Sequence, residues 1–539
     1  MIFYGGVFMY SVLIRGGKVI DGSGKTAFVA DVALRDDRIV EVGVGLSESA
    51  TEIVNADNLV VAPGFIDIHS HTDGTIFTHP LSDSKLLQGV TSEVIGNCGI
   101  GAFPVNSKYK EELFRYLEIH EFSFPSTGIG WENLNQYTET LEGLGLGPNL
   151  LPLVAHGTLR CAVMGFDDRE PTATELREME HLLMVALESG AWGMSTGLIY
   201  PPGSFAKTEE LIDLSQVLSR YKRIFTSHIR GESAALRQSL AEAIRIGEES
   251  GVRVEISHLK AMGKPQWGLG KECLTCLESA RAAGIDIAAD QYPYEASSTS
   301  LTTLVPQWAH SGGVGELLKR LIAPELSECI KKEIAHEMEV RGGANRIQIT
   351  GVASSKNAAV VSGKTIAQIA DMWNLNPVEV VIQLLLEEEG AVSAVYFSML
   401  EDDVKAILAD SHVAVGSDGR GMNRNTGRGL ATHPRSYGTF PRVLGHFVRE
   451  GVLPLERAVY KMTGLPSERL GLHRRGLIKA GYAADLTLFD PTTIADRADF
   501  ANPHQYPEGV EYVFVNGKLA AKGGILTGVT AGKVLKRKH

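Results

Sequence analysis

Cysteine is scarce in this chain: five thiols, Cys98, Cys161, Cys273, Cys276 and Cys329, are spread over 539 residues. An odd, scattered handful in a long chain excludes a disulfide framework and fits a reducing compartment. The one CxxC, Cys273 to Cys276, lies in KECLTCLESARAAG, which has the pattern of an amphipathic helix, and no second pair exists to complete a zinc site around it. Long apolar runs are absent too. No stretch approaches the roughly 18 residues that span a bilayer, and the opening MIFYGGVFMY lacks the basic start and cleavage pattern of a signal peptide. The expectation is a soluble, cytoplasmic protein with no membrane partner. Basic charge is in deficit, with 52 Lys and Arg against 64 Asp and Glu and a net charge of −12, so the field that nucleic acid would require is missing. The terminal KVLKRKH is the exception and reads as a solvated tail.

What is present is ordinary globular material: 44% hydrophobic and 22% charged residues supply a large core. The first 60 residues hold short alternating segments, SVLIRGGKVIDG, FVADVALRDDRIVEVG and TEIVNADNLVVAPG, separated by turn residues. That is strand and hairpin grammar. It returns at the other end in AADLTLFD and GVEYVFVNGKLAAKGG, where Asn516-Gly517 is a hairpin signal. The middle alternates apolar strands with helical stretches, as a parallel sheet covered on both faces does. Eight strands are countable: GFIDIHSH, TSEVIGNCG, NLLPLVAHG, AWGMSTGL, RIFTSHIRG, VRVEISHLK, IDIAADQYPY and HVAVGSDG. The predicted class is therefore α/β, a (β/α)₈ TIM-like barrel over 65–469. A small β-sandwich domain is assembled from 1–64 and 470–539, and a lid-like segment is inserted at about 299–410 between the seventh and eighth strands.

The strand ends carry the chemistry. His69 and His71 close the first, Cys98 the second, His156 the third, His228 the fifth, His258 the sixth and Asp418 the eighth. Singly, a strand-end histidine is usually structural and a buried cysteine an inert hydrophobe. Together, at the end of a barrel where catalytic residues collect, imidazole, thiolate and carboxylate form a donor set that suits zinc. His69 and His71 are two apart, so on a strand they share a face.

These motifs identify the chain as resembling the amidohydrolase superfamily and, within it, the N-acyl-D-amino-acid deacylases (D-aminoacylases). APGFIDIHSHTD, SHIRGE, SHLK and VGSDG carry the wider resemblance; IGNCG, DQYPYEASSTS and HPRSYGTFPRVLG carry the narrower one. Many superfamily members bridge two metals with a fourth-strand lysine, which AWGMSTGLIY lacks. The resemblance implies instead that Cys98, His228 and His258 hold a tightly bound Zn²⁺, while His69, His71 and Asp418 line a second, weaker site. It implies hydrolysis by metal-activated water, with Asp418 as the base that passes the proton to the leaving amine. His156 is not a ligand in this scheme.

By the same resemblance, Lys260, Tyr292, Ser298 and Arg435 grip the free α-carboxylate of a small N-acyl amino acid. The stretch RGMNRNTGRGL, longer than in better-known deacylases, brings Arg420, Arg424 and Arg428 as alternative cations. Members acting on acidic D-amino acids carry an extra arginine in the lid, which SLTTLVPQWAH lacks, so neutral or hydrophobic side chains are expected. The D-stereochemistry rests on the resemblance alone, and homo-oligomer formation is left open. Two other readings compete. A cyclic amidase of the hydantoinase or dihydroorotase kind is disfavoured by the missing lysine, and a non-catalytic scaffold by the filled ligand positions.

Overall fold

The computed structural model describes residues 9–47, 49–125, 128–352, 354–425 and 431–538; Arg428 lies outside them. Eight parallel strands form the central barrel: Phe65–Asp67, Val90–Ile95, Asn149–Pro152 continuing as Val154–Ala155, Gly193–Gly197, Ile224–His228, Arg253–Ile256, Ile287–Gln291 and Val413–Val415. The first three pair in order, as do the third to eighth. Closure between the first and eighth comes from the Ser70–Gly419 bridge and from Asp418 N donating to His69 O at 2.7 Å. These strands are buried almost throughout, as helices on the outside require. One such helix, Ala173–Glu188, starts with a capping box of Thr172 and Glu175.

Strands from both chain ends make a separate nine-stranded sheet. Tyr10–Val19 pairs with Phe28–Arg35, and Val60–Pro63 pairs with Leu486–Phe489 from the far end of the chain. Its inner face buries Val32, Leu34, Val61, Leu486, Leu488 and Phe514 in one cluster. The Val510–Val515 and Lys518–Lys522 hairpin turns on Asn516 (φ 48°) and Gly517 (φ 77°). A side chain at Gly517 would strike the Asp36 carbonyl, so the Asn-Gly pair answers both a left-handed turn and a close approach.

Between the seventh and eighth strands the chain builds a three-stranded antiparallel sheet, Ser297–Ser300, Ile347–Val352 and Val392–Tyr396, with helices including Val314–Ile322 and Pro324–Val340. This segment has its own core of Leu301, Leu317, Ile334, Ile349, Leu384 and Tyr396. The CxxC falls in the helix Gly270–Ala282, where burial pushes the Cys273 thiol up to about 12.

One expectation fails. KVLKRKH is not a solvated tail over its described part: Leu535 N donates to Leu150 O at 2.8 Å, Arg537 N to Gly190 O at 2.9 Å, and Val534 is buried. Lys533, Lys536 and Lys538 are exposed, while Arg537, which donates to Leu470 O at 2.7 Å, joins backbone pairing and Val534 in holding the segment to the barrel. Among the described residues no helix is long and apolar enough to cross a membrane.

Candidate active site

Six of the seven side chains singled out from the strand ends meet at one end of the barrel. Cys98 Sγ lies 3.3 Å from His69 Nε2 and 3.5 Å from His258 Nε2. Asp418 Oδ1 lies 3.0 Å from His71 Nε2 and 3.4 Å from His69 Nε2. The His228 ring stands 4.4 Å from that of His258, nearly perpendicular to it. One donor atom each from His69, Cys98, His258 and Asp418 lies within 4.8 Å of the others, and His228, Glu232 and His258 form a second such group. His156 stays outside, bonded through Nε2 to Glu210 at 2.8 Å.

Local backbone geometry sets this convergence. His228 is the last residue of its strand, the other ligand-type residues lie beyond theirs, and Cys98, His258 and Asp418 all take positive φ, at 54°, 37° and 50°. Such conformations are uncommon for non-glycine residues and collect at functional sites. IGNCG needs its last glycine: Gly99 has φ 67°, and a side chain there would meet the Gly197 backbone nitrogen at 2.6 Å.

Electrostatics follows from burial and proximity. Burial disfavours the Cys98 thiolate, but His69 and His258 outweigh it and hold the thiol well below its ordinary range. Burial likewise opposes ionisation of Asp418, yet Arg435 and His258 keep its carboxyl well below the usual range. Burial lowers His228, and neither of its ring nitrogens has a hydrogen-bond partner. A fully buried imidazole without a partner is costly. Together with a thiolate, three further imidazoles and a carboxylate, it is a donor set that zinc satisfies.

Two carboxylates that sequence reasoning missed orient these rings. Asp290, at the end of the seventh strand, accepts from His69 Nδ1 at 3.2 Å and from His258 N at 2.8 Å. Glu232 lies 3.0 Å from His258 Nδ1 and 2.5 Å from Lys260 Nζ. Only its position four residues after His228 could have flagged Glu232.

The cluster opens into a cavity of about 410 Å³ between barrel and insertion. Lys260, Tyr292, Ser298 and Arg435 all line it. Arg435 donates from Nη1 to Asp418 Oδ2 at 2.6 Å and from Nη2 to Ser298 O at 3.1 Å, while the Tyr292 hydroxyl is buried and unpartnered. Arg420 also lines the cavity but is paired with Glu121 at 2.6 Å, and Arg424 stacks on Tyr506 instead.

Residues 52–297 and 339–521 match the amidohydrolase family. The chain is 36% identical to a D-aminoacylase of Alcaligenes xylosoxydans xylosoxydans over 98% of both chains. It is 35% identical to an N-acyl-D-aspartate deacylase of the same organism, over 97% of this chain and 94% of that one. Its fold superposes with a TM-score of 0.82 on an N-acyl-D-glutamate deacylase from Bordetella bronchiseptica, solved with zinc and a phosphonate mimic of the tetrahedral intermediate, at 33% identity, covering 98% of this chain and 100% of that one. An L-hydantoinase from Arthrobacter aurescens reaches 0.55 at 14% identity, covering 98% of this chain and 100% of that one, which speaks for the shared fold alone. On the strength of the matched segments and the full-length relatives, this chain belongs to the amidohydrolase family, in its N-acyl-D-amino-acid deacylase branch.

Proposed function

We propose that the protein is a zinc-dependent hydrolase that cleaves the amide bond of N-acyl-D-amino acids to a carboxylate and a free D-amino acid. The observation that carries this reading is the buried Cys–His–Asp cluster at the wall of a cavity whose adjoining wall holds Arg435, Tyr292, Ser298 and Lys260. Cys98, His228 and His258 would hold Zn²⁺, with His69, His71 and Asp418 around a weaker second position; the bound metal supplies Lewis-acid activation of water and of the scissile carbonyl.

The chain's own groups do the rest. Asp418 takes a proton from the attacking water and delivers it to the leaving nitrogen, a role that its place between His71 and Arg435 supports. Asp290 and Glu232 fix the orientation of His69 and His258. The α-carboxylate is received by the free Tyr292 hydroxyl together with Arg435, whose planar fork can share itself between two carboxylates. Lys260, engaged by Glu232, contributes charge from behind.

The cavity favours neutral or hydrophobic side chains. Its remaining arginines each have an acid: Arg230 with Glu242, Arg341 with Glu337, Arg420 with Glu121. Around them stand Ile119, Phe122, Phe166, Leu304 and Leu317. The test is a screen of N-acetyl D- and L-amino acids with the zinc-loaded enzyme, following released amine. Turnover of neutral D-substrates above their L-enantiomers and above N-acetyl-D-aspartate is expected; no release from any D-substrate would sink the reading.

A further inference from the structure

Behind the cluster lies a buried charge that the proposed chemistry does not use. Lys85, in the short helix Asp83–Leu86 after the first strand, is fully buried. Its Nζ donates to Asp67 Oδ2 at 2.6 Å and Ser417 Oγ at 2.7 Å, and reaches Gly419 O at 3.2 Å, Glu93 Oε2 at 3.3 Å and Ser70 Oγ at 3.4 Å. These partners flank the residues at issue. Ser70 lies between His69 and His71; Ser417 and Gly419 bracket Asp418. Asp67 spends its other oxygen on Ser417 N at 2.9 Å and His69 N at 3.3 Å, and Glu93 accepts from Ser70 Oγ at 2.6 Å and from Thr72 Oγ1.

The position matters because of how the barrel closes. Elsewhere around the barrel, parallel ladders register the strands; between the first and eighth a single bridge and a few flanking bonds do so. His69, His71 and Asp418 come from the two sides of that seam. A buried ammonium between two carboxylates has strong directional bonds and a severe penalty for losing any of them.

We propose that Lys85 is a positioning residue: it ties the first, second and eighth strand ends across the closing seam and so fixes the spacing of His69 and His71 from Asp418. This rests on the reading of those three as the weaker metal position. His228 and His258 belong to strands on which Lys85 makes no bond, and Cys98 lies five residues beyond Glu93, the second-strand partner of Lys85, so the tight site should be much less sensitive to it than the weaker one.

The test is the K85M/E93Q double variant, which removes one charge of each sign and leaves the net charge of the Lys85–Asp67–Glu93 group unchanged. Purified with zinc, it should keep the tight ion and fold, read by thermal unfolding. Titrated with further Zn²⁺, its second site should bind about 10–100-fold more weakly than wild type, the usual consequence of removing a group that holds metal ligands in place. kcat should fall, with KM within about threefold, as orientation rather than uniform binding is lost. A second-site affinity within about threefold of wild type would overturn the proposal, as would loss of both ions together, which marks a merely structural role. K85R, which keeps the charge but moves the donors, covers failure of the double variant to fold: second-site binding weakened with the tight ion retained supports the proposal, and wild-type binding overturns it. If the wild-type enzyme binds a single ion even at saturating zinc, the reading of the second position fails instead. Lys85 is then judged on kcat, and a variant within about threefold of wild type overturns it.

Discussion

Asp418 carries the most specific claim at the level of single residues. Its backbone is left-handed, φ 50°, a conformation that asparagine and aspartate tolerate better than other side chains. Asp418→Asn therefore changes basicity while sparing the turn. If Asp418 moves the proton, kcat should drop by roughly 10²–10⁴-fold with the tight zinc retained. A variant within about threefold of wild type, measured at saturating substrate, would send the proton elsewhere. The six strand-end side chains were legible in the sequence because each ends an apolar run, a position with few roles in a barrel. Glu232, Asp290 and Lys85 were not. Carboxylates after strands are commonplace, and a lysine on a one-turn helix reads as surface until its partners are seen.

The elements themselves were largely legible as eight apolar segments, but their ends were not. GFIDIHSH suggests a strand running through both histidines, whereas the first strand stops at Asp67 and His69 and His71 sit beyond it. Their rings still come within 5.5 Å, through loop geometry rather than strand alternation. The C-terminal segment was misread because backbone pairing leaves no mark in composition. Its charges advertise solvent, yet Trp192 Nε1 donates to Leu535 O at 2.6 Å and Arg537 covers the Trp192 ring at 5.6 Å. Deleting residues 533–539 removes these bonds, worth about 0.5–1.5 kcal/mol each, and the burial of Val534, worth about 1.5–3 kcal/mol. The shortened protein should unfold a few degrees lower, since an unfolding entropy of about 2.1 cal/mol/K per residue makes each kcal/mol worth only about 1 °C in a chain of this length. Calorimetry showing a Tm within about 1 °C of the full chain would mean that the segment rests on the barrel without supporting it.

Substrate choice belongs to the whole molecule, because neither barrel nor insertion forms the cavity alone. The insertion brings Arg341 to the wall, where Nε pairs with Glu337 at 2.8 Å and the other nitrogens donate to Thr303 Oγ1 and O at 2.9 and 3.0 Å. The guanidinium also lies 4.8 Å over the Tyr396 ring. So placed, the arginine is structurally committed and electrically silent toward a substrate. A second carboxylate brought by an acidic side chain would have to displace Glu337 or sit beside it, and either is unfavourable in a buried setting. Replacing Glu337 by Gln keeps the length and a hydrogen-bond acceptor but leaves the charge of Arg341 unanswered. A buried cation that has lost its partner is destabilised by roughly 2–5 kcal/mol, and an acidic substrate can restore part of that while a neutral one cannot. The ratio of kcat/KM for N-acetyl-D-glutamate over N-acetyl-D-leucine should thus rise in E337Q by about tenfold or more, each decade being about 1.36 kcal/mol. An unchanged ratio, with the variant folded and active on the neutral substrate, would show that side chains do not reach the Arg341 wall, and that the proposed neutral preference has to come from the wall nearer the Cys–His–Asp cluster, where Ile100 and Tyr200 stand.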